Sequence, residues 1–234
     1  MSEDSSTDQP ALNEQPGASP VPGCIILVTV VVMFVGLAVL YISVFSLQKK
    51  EVAGFTDPQP VERAVLEPTA EQVAAADGKI ARLEALAVTN EMDQLKITAD
   101  DLNVWIATRE LLADFRGNTF VSAISEKGIA VEMSQAMRKA LFSKERQYLN
   151  GTFYLVPQAM KESVVLKVVD IDPDSGEPLD PKFIDAYSQM DFFRIDTSNP
   201  DLAPALNQIG KIYLQDGEIV VETRIDMDRV KSEQ

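Results

Sequence analysis

The stretch 94–135, QLKITADDLNVWIATRELLADFRGNTFVSAISEKGIAVEMSQ, changes its hydrophobic period twice, and that change decides the fold class. At its start Leu95 and Ile97 alternate with Gln94 and Lys96, the period of two that marks a strand with one covered face. Thr98-Ala-Asp-Asp101 follows, an N-cap signature with acidic side chains in the first turn, where the helix dipole favours them. A helix is therefore expected from Ala99, with Leu102, Trp105, Ile106 and Leu112 spaced for one buried face. From Asn118 the period returns to two. Thr119–Ser125 and Ile129–Gln135 flank Glu126-Lys-Gly128, a short turn whose glycine can take positive φ. A strand, a capped helix and a hairpin in succession predict an α+β domain of mostly antiparallel strands with packed helices.

The remaining chain extends this pattern. Gln147–Val156 and Ser163–Ile171 read as two further strands, with Pro157 expected in their connection, where its missing N–H does no harm. Asp180-Pro181 opens a helix as N-cap and first residue, and Phe183, Ile184, Tyr187 and Met190 give it one apolar face. A second short helix is expected over about Asp201–Ile209. Lys211–Leu214 and Glu218–Thr223 then form a hairpin around Asp216-Gly217. Upstream, Thr69 with Gln72 is a capping-box pair at the head of a helix over Thr69–Ala87, whose Val73, Ala76, Ile80, Leu83 and Ala87 share a face. That face is expected to pack onto its own domain. The alternative is a short dimeric coiled coil, with barely two heptads, alanines at the seam and Gly78 against it.

Ahead of the domain, Cys24 to Leu47 reads CIILVTVVVMFVGLAVLYISVFSL, 24 residues without a charge, where about 20 suffice to cross a bilayer as a helix. The expected organisation is an acidic, Ser- and Pro-rich disordered tail over 1–22, one transmembrane helix over 23–48 and a proline-containing linker over 49–68. The soluble α+β domain follows over 69–226, with a C-terminal tail over 227–234. A cleaved signal peptide fits less well, because no Lys or Arg precedes the run and no small-residue cleavage site follows it. Lys49 and Lys50 flank the span, and by the positive-inside rule they favour a cytoplasmic C-terminal domain.

Composition removes several classes of function. The net charge is −15, and residues 51–234 alone carry 19 basic and 32 acidic side chains, a surface that repels nucleic-acid phosphates. The chain has no histidine, so serine–histidine and cysteine–histidine catalysis are excluded, and its one cysteine, Cys24, lies at the edge of the apolar run. No nucleotide-binding or hydrolase motif occurs, no catalytic or metal-ligating residue is proposed, and no cofactor is implied. The densest carboxylate cluster, Asp170, Asp172, Asp174, Glu177 and Asp180, starts like a calcium loop. It then departs from the pattern, with Ser175 where glycine is needed and Pro181 where a bidentate glutamate is needed, so a solvated turn is the expectation.

Taken in order, the anchor, the helix, LKITADDLN (95–103), the hairpins, RQYLNGTFYL (146–155), the proline-marked helix and the closing IYLQDGEIVVET (212–223) form a series. It resembles bacterial membrane-anchored envelope domains of the tubular lipid-binding type over about Leu95–Thr223. The resemblance implies a curved antiparallel sheet whose concave face takes lipid or another apolar ligand, a non-enzymatic role, and an extracytoplasmic domain, the placement adopted here over the positive-inside one. The chain is shorter than the two-module lipid transporters of that type. The alternative role is a structural module contacting another envelope protein through a sheet edge or the helix at Thr69–Ala87. Candidate ligand-facing residues are Trp105, Val165 and Val168. Ser163–Ile171 reads SVVLKVVDI, apolar toward both faces, which suits either a central strand or a strand lining a cavity.

Overall fold

The computed structural model describes residues 21–137, 146–160, 163–197 and 203–225, without the side chains of 21–29, 44, 45, 47–51 and 203–205. The expected tails, 1–20 and 226–234, lie outside the described residues. The chain divides into two compact units, 1–50 and 51–234.

The first unit is helical. Helix α1 (Val21–Phe55) runs for 35 residues, so it continues past the expected end at 48, and its last turn belongs to the second unit. Its apolar residues lie all round rather than on one face, and every described side chain from 30 to 43 is exposed. Among the described residues, which in α1 carry side chains only at 30–43, 46 and 52–55, no helix is long and apolar enough to cross a membrane.

In the second unit, helix α2 (Ala70–Thr89) begins at Thr69, whose hydroxyl accepts from the Gln72 N–H at 3.3 Å while the Gln72 side chain accepts from the Thr69 N–H at 2.8 Å. The expected capping box is present. Its apolar face packs on its own domain, against α3 (Ala99–Thr108) and α5 (Ala203–Gln208), with Ala76, Leu86 and Ala87 buried.

Strand β1 (Gln94–Ile97) pairs with β8 (Glu218–Thr223), which pairs with β7 (Ile209–Gln215), giving a three-stranded antiparallel sheet. The turn joining β7 to β8 places Asp216 at φ 52° and Gly217 at φ 81°, the two positive angles that a two-residue hairpin needs. A five-stranded antiparallel sheet runs in chain order through β2 (Thr119–Ser125), β3 (Gly128–Ala136), β4 (Tyr148–Met160), β5 (Ser163–Pro173) and β6 (Phe193–Asp196). The inward side chains of both sheets share one core: Leu95, Ile219 and Val221 from the smaller, and Val121, Ile129, Val131, Phe153, Leu155 and Val168 from the larger. Helix α4 (Pro181–Ser188), capped by Asp180 as expected, packs against β5.

Three features go beyond or against the sequence expectation. Strand β4 runs through Pro157, which pairs with Leu166. The ladder to β3 ends at Leu155, so Pro157 has a neighbouring strand on one side only and the sheet tolerates its missing donor. Second, Gly151 permits a close approach of β4 to β5, since a Cβ there would lie 2.5 Å from the Asp172 carbonyl oxygen.

Third, the proline-containing segment is not a free spacer. It is helical as far as Phe55, has no regular secondary structure from Pro58 to Pro68, and is bound along the larger sheet. Phe55 is buried with its ring centroid 5.2 Å from that of Phe183, and Asp57 and Tyr148 exchange two backbone hydrogen bonds. The side chain of Asn150, only 1% exposed, donates to Asp57 Oδ2 (2.9 Å) and to the Gln59 carbonyl (3.2 Å) and accepts from the Val61 N–H (3.3 Å) and from the Ser134 hydroxyl (2.6 Å). Arg63 completes the strap through an ion pair with Asp174 at 2.6 Å. A buried amide with all these partners is costly to remove, because each partner left behind remains desolvated. Asn150→Ala is therefore expected to destabilise the domain by about 1–3 kcal/mol, with faster amide hydrogen exchange at Val61, measured by denaturant melts and by exchange.

Candidate functional site

The capped start of α3 fixes the wall of a cavity. Thr98 Oγ1 accepts from the Asp101 N–H at 3.2 Å, and Asp101 Oδ2 accepts from the Thr98 N–H at 2.7 Å and from Lys79 Nζ of α2 at 2.5 Å. Burial raises the Asp101 pKa, but the hydrogen bonds from Lys79 and Thr98 outweigh it and hold the carboxyl below its ordinary value. Two residues on, the buried amide of Asn103 donates to the Val121 carbonyl and accepts from the Val121 N–H, both at 2.8 Å. Asn103 thereby acts as the missing ladder partner for the edge strand β2 and locks α3 against the larger sheet. Leu102, Trp105 and Ile106 are then held over the gap between the sheets.

The gap is a half-enclosed cavity of ≈ 230 Å³. Its floor is the larger sheet, with Val121, Ile129, Val131, Met133, Leu155, Pro157, Val164 and Leu166, and its opposite wall is Ile97, Ile212 and Ile219 of the smaller. Leu112 and Phe115 of a 3₁₀ turn (Glu110–Phe115) and Phe192, Phe193 and Ile195 around β6 close one end, where the rings of Phe115 and Phe193 meet edge to face at 5.5 Å. Thr119 has the one hydroxyl in the lining, and that hydroxyl donates to Asn118 Oδ1 at 2.8 Å. Among the described residues no titratable side chain lines the cavity. The indole N–H of Trp105 is buried and has no hydrogen-bond partner among the described residues.

This geometry suits binding rather than acid–base chemistry. The gap is open on one side, so without a ligand its apolar lining meets water. At roughly 30 Å³ per water-sized group, it holds about eight non-hydrogen atoms. That is one alkyl chain segment or a compact apolar molecule, and too little for both chains of a diacyl lipid.

Of the residues singled out from sequence, Trp105 lines the cavity. Val165 and Val168 do not: both are fully buried, and Val164 and Leu166 of the same strand take the lining positions. Val168, opposite Leu155, faces the same side as Leu166 but is sealed into the core, whereas Val165 faces the other way. Lys49 and Lys50 lie within α1, with side chains outside the described ones. The acidic stretch is divided among separate partners: Asp170 and Asp172 face Lys127 at 2.8 and 3.4 Å, Asp174 pairs with Arg63, and Asp180 caps α4. Lys127 holds the Asp170 carboxyl below its ordinary pKa by hydrogen bonding. Among the described residues no three His, Cys, Asp or Glu side chains converge to hold a metal.

Sequence reasoning missed the 3₁₀ turn and β6, and with them the aromatic end of the cavity. Phe193 and Ile195 alternate around Arg194, the one local signal for β6, within four residues. The two cavity states of β5 can be separated by a bulkier side chain. Val164→Phe, entering free volume, is expected to change stability by less than about 1 kcal/mol, while Val165→Phe, entering filled packing, costs about 1–3 kcal/mol, as compared by thermal melts.

Comparison of the chain with protein-family models, with curated proteins and with solved structures returns no match. Any functional reading therefore rests on the cavity and on the sequence of α1.

Proposed function

We propose that this protein is a single-pass membrane-anchored, non-enzymatic domain of the cell envelope that binds a lipid chain or another apolar ligand. The observation that carries the reading is the half-enclosed cavity of ≈ 230 Å³, whose lining among the described residues is apolar but for Thr119 and has no titratable group. Ligand pockets are concave and mostly apolar with few placed polar groups, and among the described residues the polar side chains in this lining are Thr119 and Trp105, whose indole N–H is buried. Burying about eight methylenes at about 0.8 kcal/mol each gives a dissociation constant on the order of 10–100 μM before ordering costs. Such an affinity suits capture and release at a membrane surface, where apolar ligands are concentrated.

The anchor rests on the 24 uncharged residues from Cys24 to Leu47, which fall within α1. A helix apolar all round, with Phe34 68% and Leu40 63% exposed, has side chains that water does not accommodate and lipid does. The acidic surface adds no electrostatic attachment. Placement of the domain outside the cytoplasm follows the resemblance to envelope lipid-binding domains.

Two measurements test the reading. The full chain is expected to stay with membranes through high-salt and alkaline washes, and recovery in the soluble fraction overturns the anchor. Residues 51–234, which retain the strap, are expected to be soluble and to carry an apolar molecule detectable by mass spectrometry of an organic extract. A domain that stays ligand-free and takes up no added alkyl chain overturns lipid binding.

A further inference from the structure

We infer that the cavity takes a neutral aromatic ring with a short alkyl substituent, the ring against Phe115 and Phe193 and the alkyl carbons over the aliphatic floor. This rests on the reading of the cavity as a ligand site and specifies the ligand's chemistry.

The lining divides by residue type. Phe115, Phe192 and Phe193 stand at one end, and Trp105 lines the same space from α3. All four residues are half-buried, so part of each is left uncovered by the protein. The floor is aliphatic by contrast, with Val121, Ile129, Val131 and Leu155 buried beneath the gap. The ring centroids of Phe115 and Phe193 lie 5.5 Å apart with the planes at 85°, edge to face. An aromatic ring has a negative face and a positive edge, and two rings near a right angle offer one of each to a third. A ring in the cavity therefore gains an electrostatic contact at that end which a saturated chain of equal size does not. Along the floor only dispersion and area burial are on offer, and alkyl carbons obtain these as well as a ring does.

Size and charge narrow the ligand further. A volume of ≈ 230 Å³ holds about eight non-hydrogen atoms at roughly 30 Å³ each, which is one benzene ring with a two-carbon substituent. Among the described residues no titratable side chain lines the cavity, so a ring bearing a carboxylate or an ammonium group would be buried without a counter-charge. The hydroxyl of Thr119 in the lining already donates to Asn118 Oδ1. In addition, the net charge of −15 repels anions as they approach.

The test uses the full chain in an amphipol, with ethylbenzene and ethylcyclohexane as probes, two hydrocarbons of the same carbon count that differ in ring character. Affinities are measured for the wild type, Phe193→Leu and Phe115→Leu. Partition into the amphipol and the cost of leaving water are the same for variant and wild type, so the variant-to-wild-type ratio for each probe isolates the contact. Either substitution is expected to weaken ethylbenzene by about fivefold, and ethylcyclohexane by about twofold or less, which separates the ring contact from changed packing. In the wild type alone, nuclear Overhauser effects are expected from the ethylbenzene ring protons to the rings of Phe115 and Phe193, a readout that survives if the variants do not fold. Equal losses for both probes, or ring-proton effects confined to the methyl groups of Ile129 and Val131, overturn the aromatic assignment and leave a cavity for any small apolar group. If neither probe binds the wild type, the cavity is not a ligand site, and the proposed function falls together with this inference.

Discussion

The two hydrogen bonds between the Asn103 amide and the backbone of Val121 hold the rest of the site in place. An edge strand presents unpaired N–H and C=O groups, and a helix crossing its end would ordinarily leave them exposed or orphaned. Here a side chain of α3 supplies both a donor and an acceptor, so the helix can sit directly over the sheet. Because Leu102, Trp105 and Ile106 neighbour Asn103 on the helix, fixing one residue fixes the cavity wall. The capping box and the Lys79–Asp101 contact tie the same helix end to α2. Close packing alone would favour collapse of the wall into the gap, and these directed polar contacts oppose it.

Much of the fold is legible in the sequence because its determinants are local. Thr69 with Gln72, Thr98 with Asp101, Asp180-Pro181 and Asp216-Gly217 each act within four residues, and each stands where the pattern places it. Alternation located β2, β3, β5 and β8 to within a residue or two. The face of β5 was not legible. Val169 is an extra residue against β4, since Tyr154 opposes Asp170 and Leu155 opposes Val168. Val164 and Leu166, which line the cavity, precede that bulge, and the run is apolar toward both faces, so alternation alone does not mark the lining face. Trp105 was legible as a residue of the inward helix face, but nothing near it in sequence reveals that it would line a cavity. That depends on a wall assembled from residues as distant as Ile97, Phe193 and Ile219.

The strap is a second non-local outcome. Prolines suit residues 57–68 to an extended course, and a sequence reading stops at that point. Whether an extended segment stays free depends on what it can bond to, and here Asn150 and Ser134 on adjacent strands offer a buried amide and a hydroxyl at matching spacing. Docking the segment turns part of the expected linker into a piece of the domain. The boundary then falls near residue 51 rather than at 69.

Trp105, the chain's one tryptophan, reports directly on whether the cavity accepts apolar chains. The measurement is quenching of its fluorescence in residues 51–234 by 1-bromooctane and, separately, by acrylamide. A ligand cavity at Trp105 gives saturable quenching by the brominated chain with a stoichiometry near one, and weak quenching by acrylamide, which stays in water. Efficient acrylamide quenching together with a linear, unsaturable response to 1-bromooctane would contradict it.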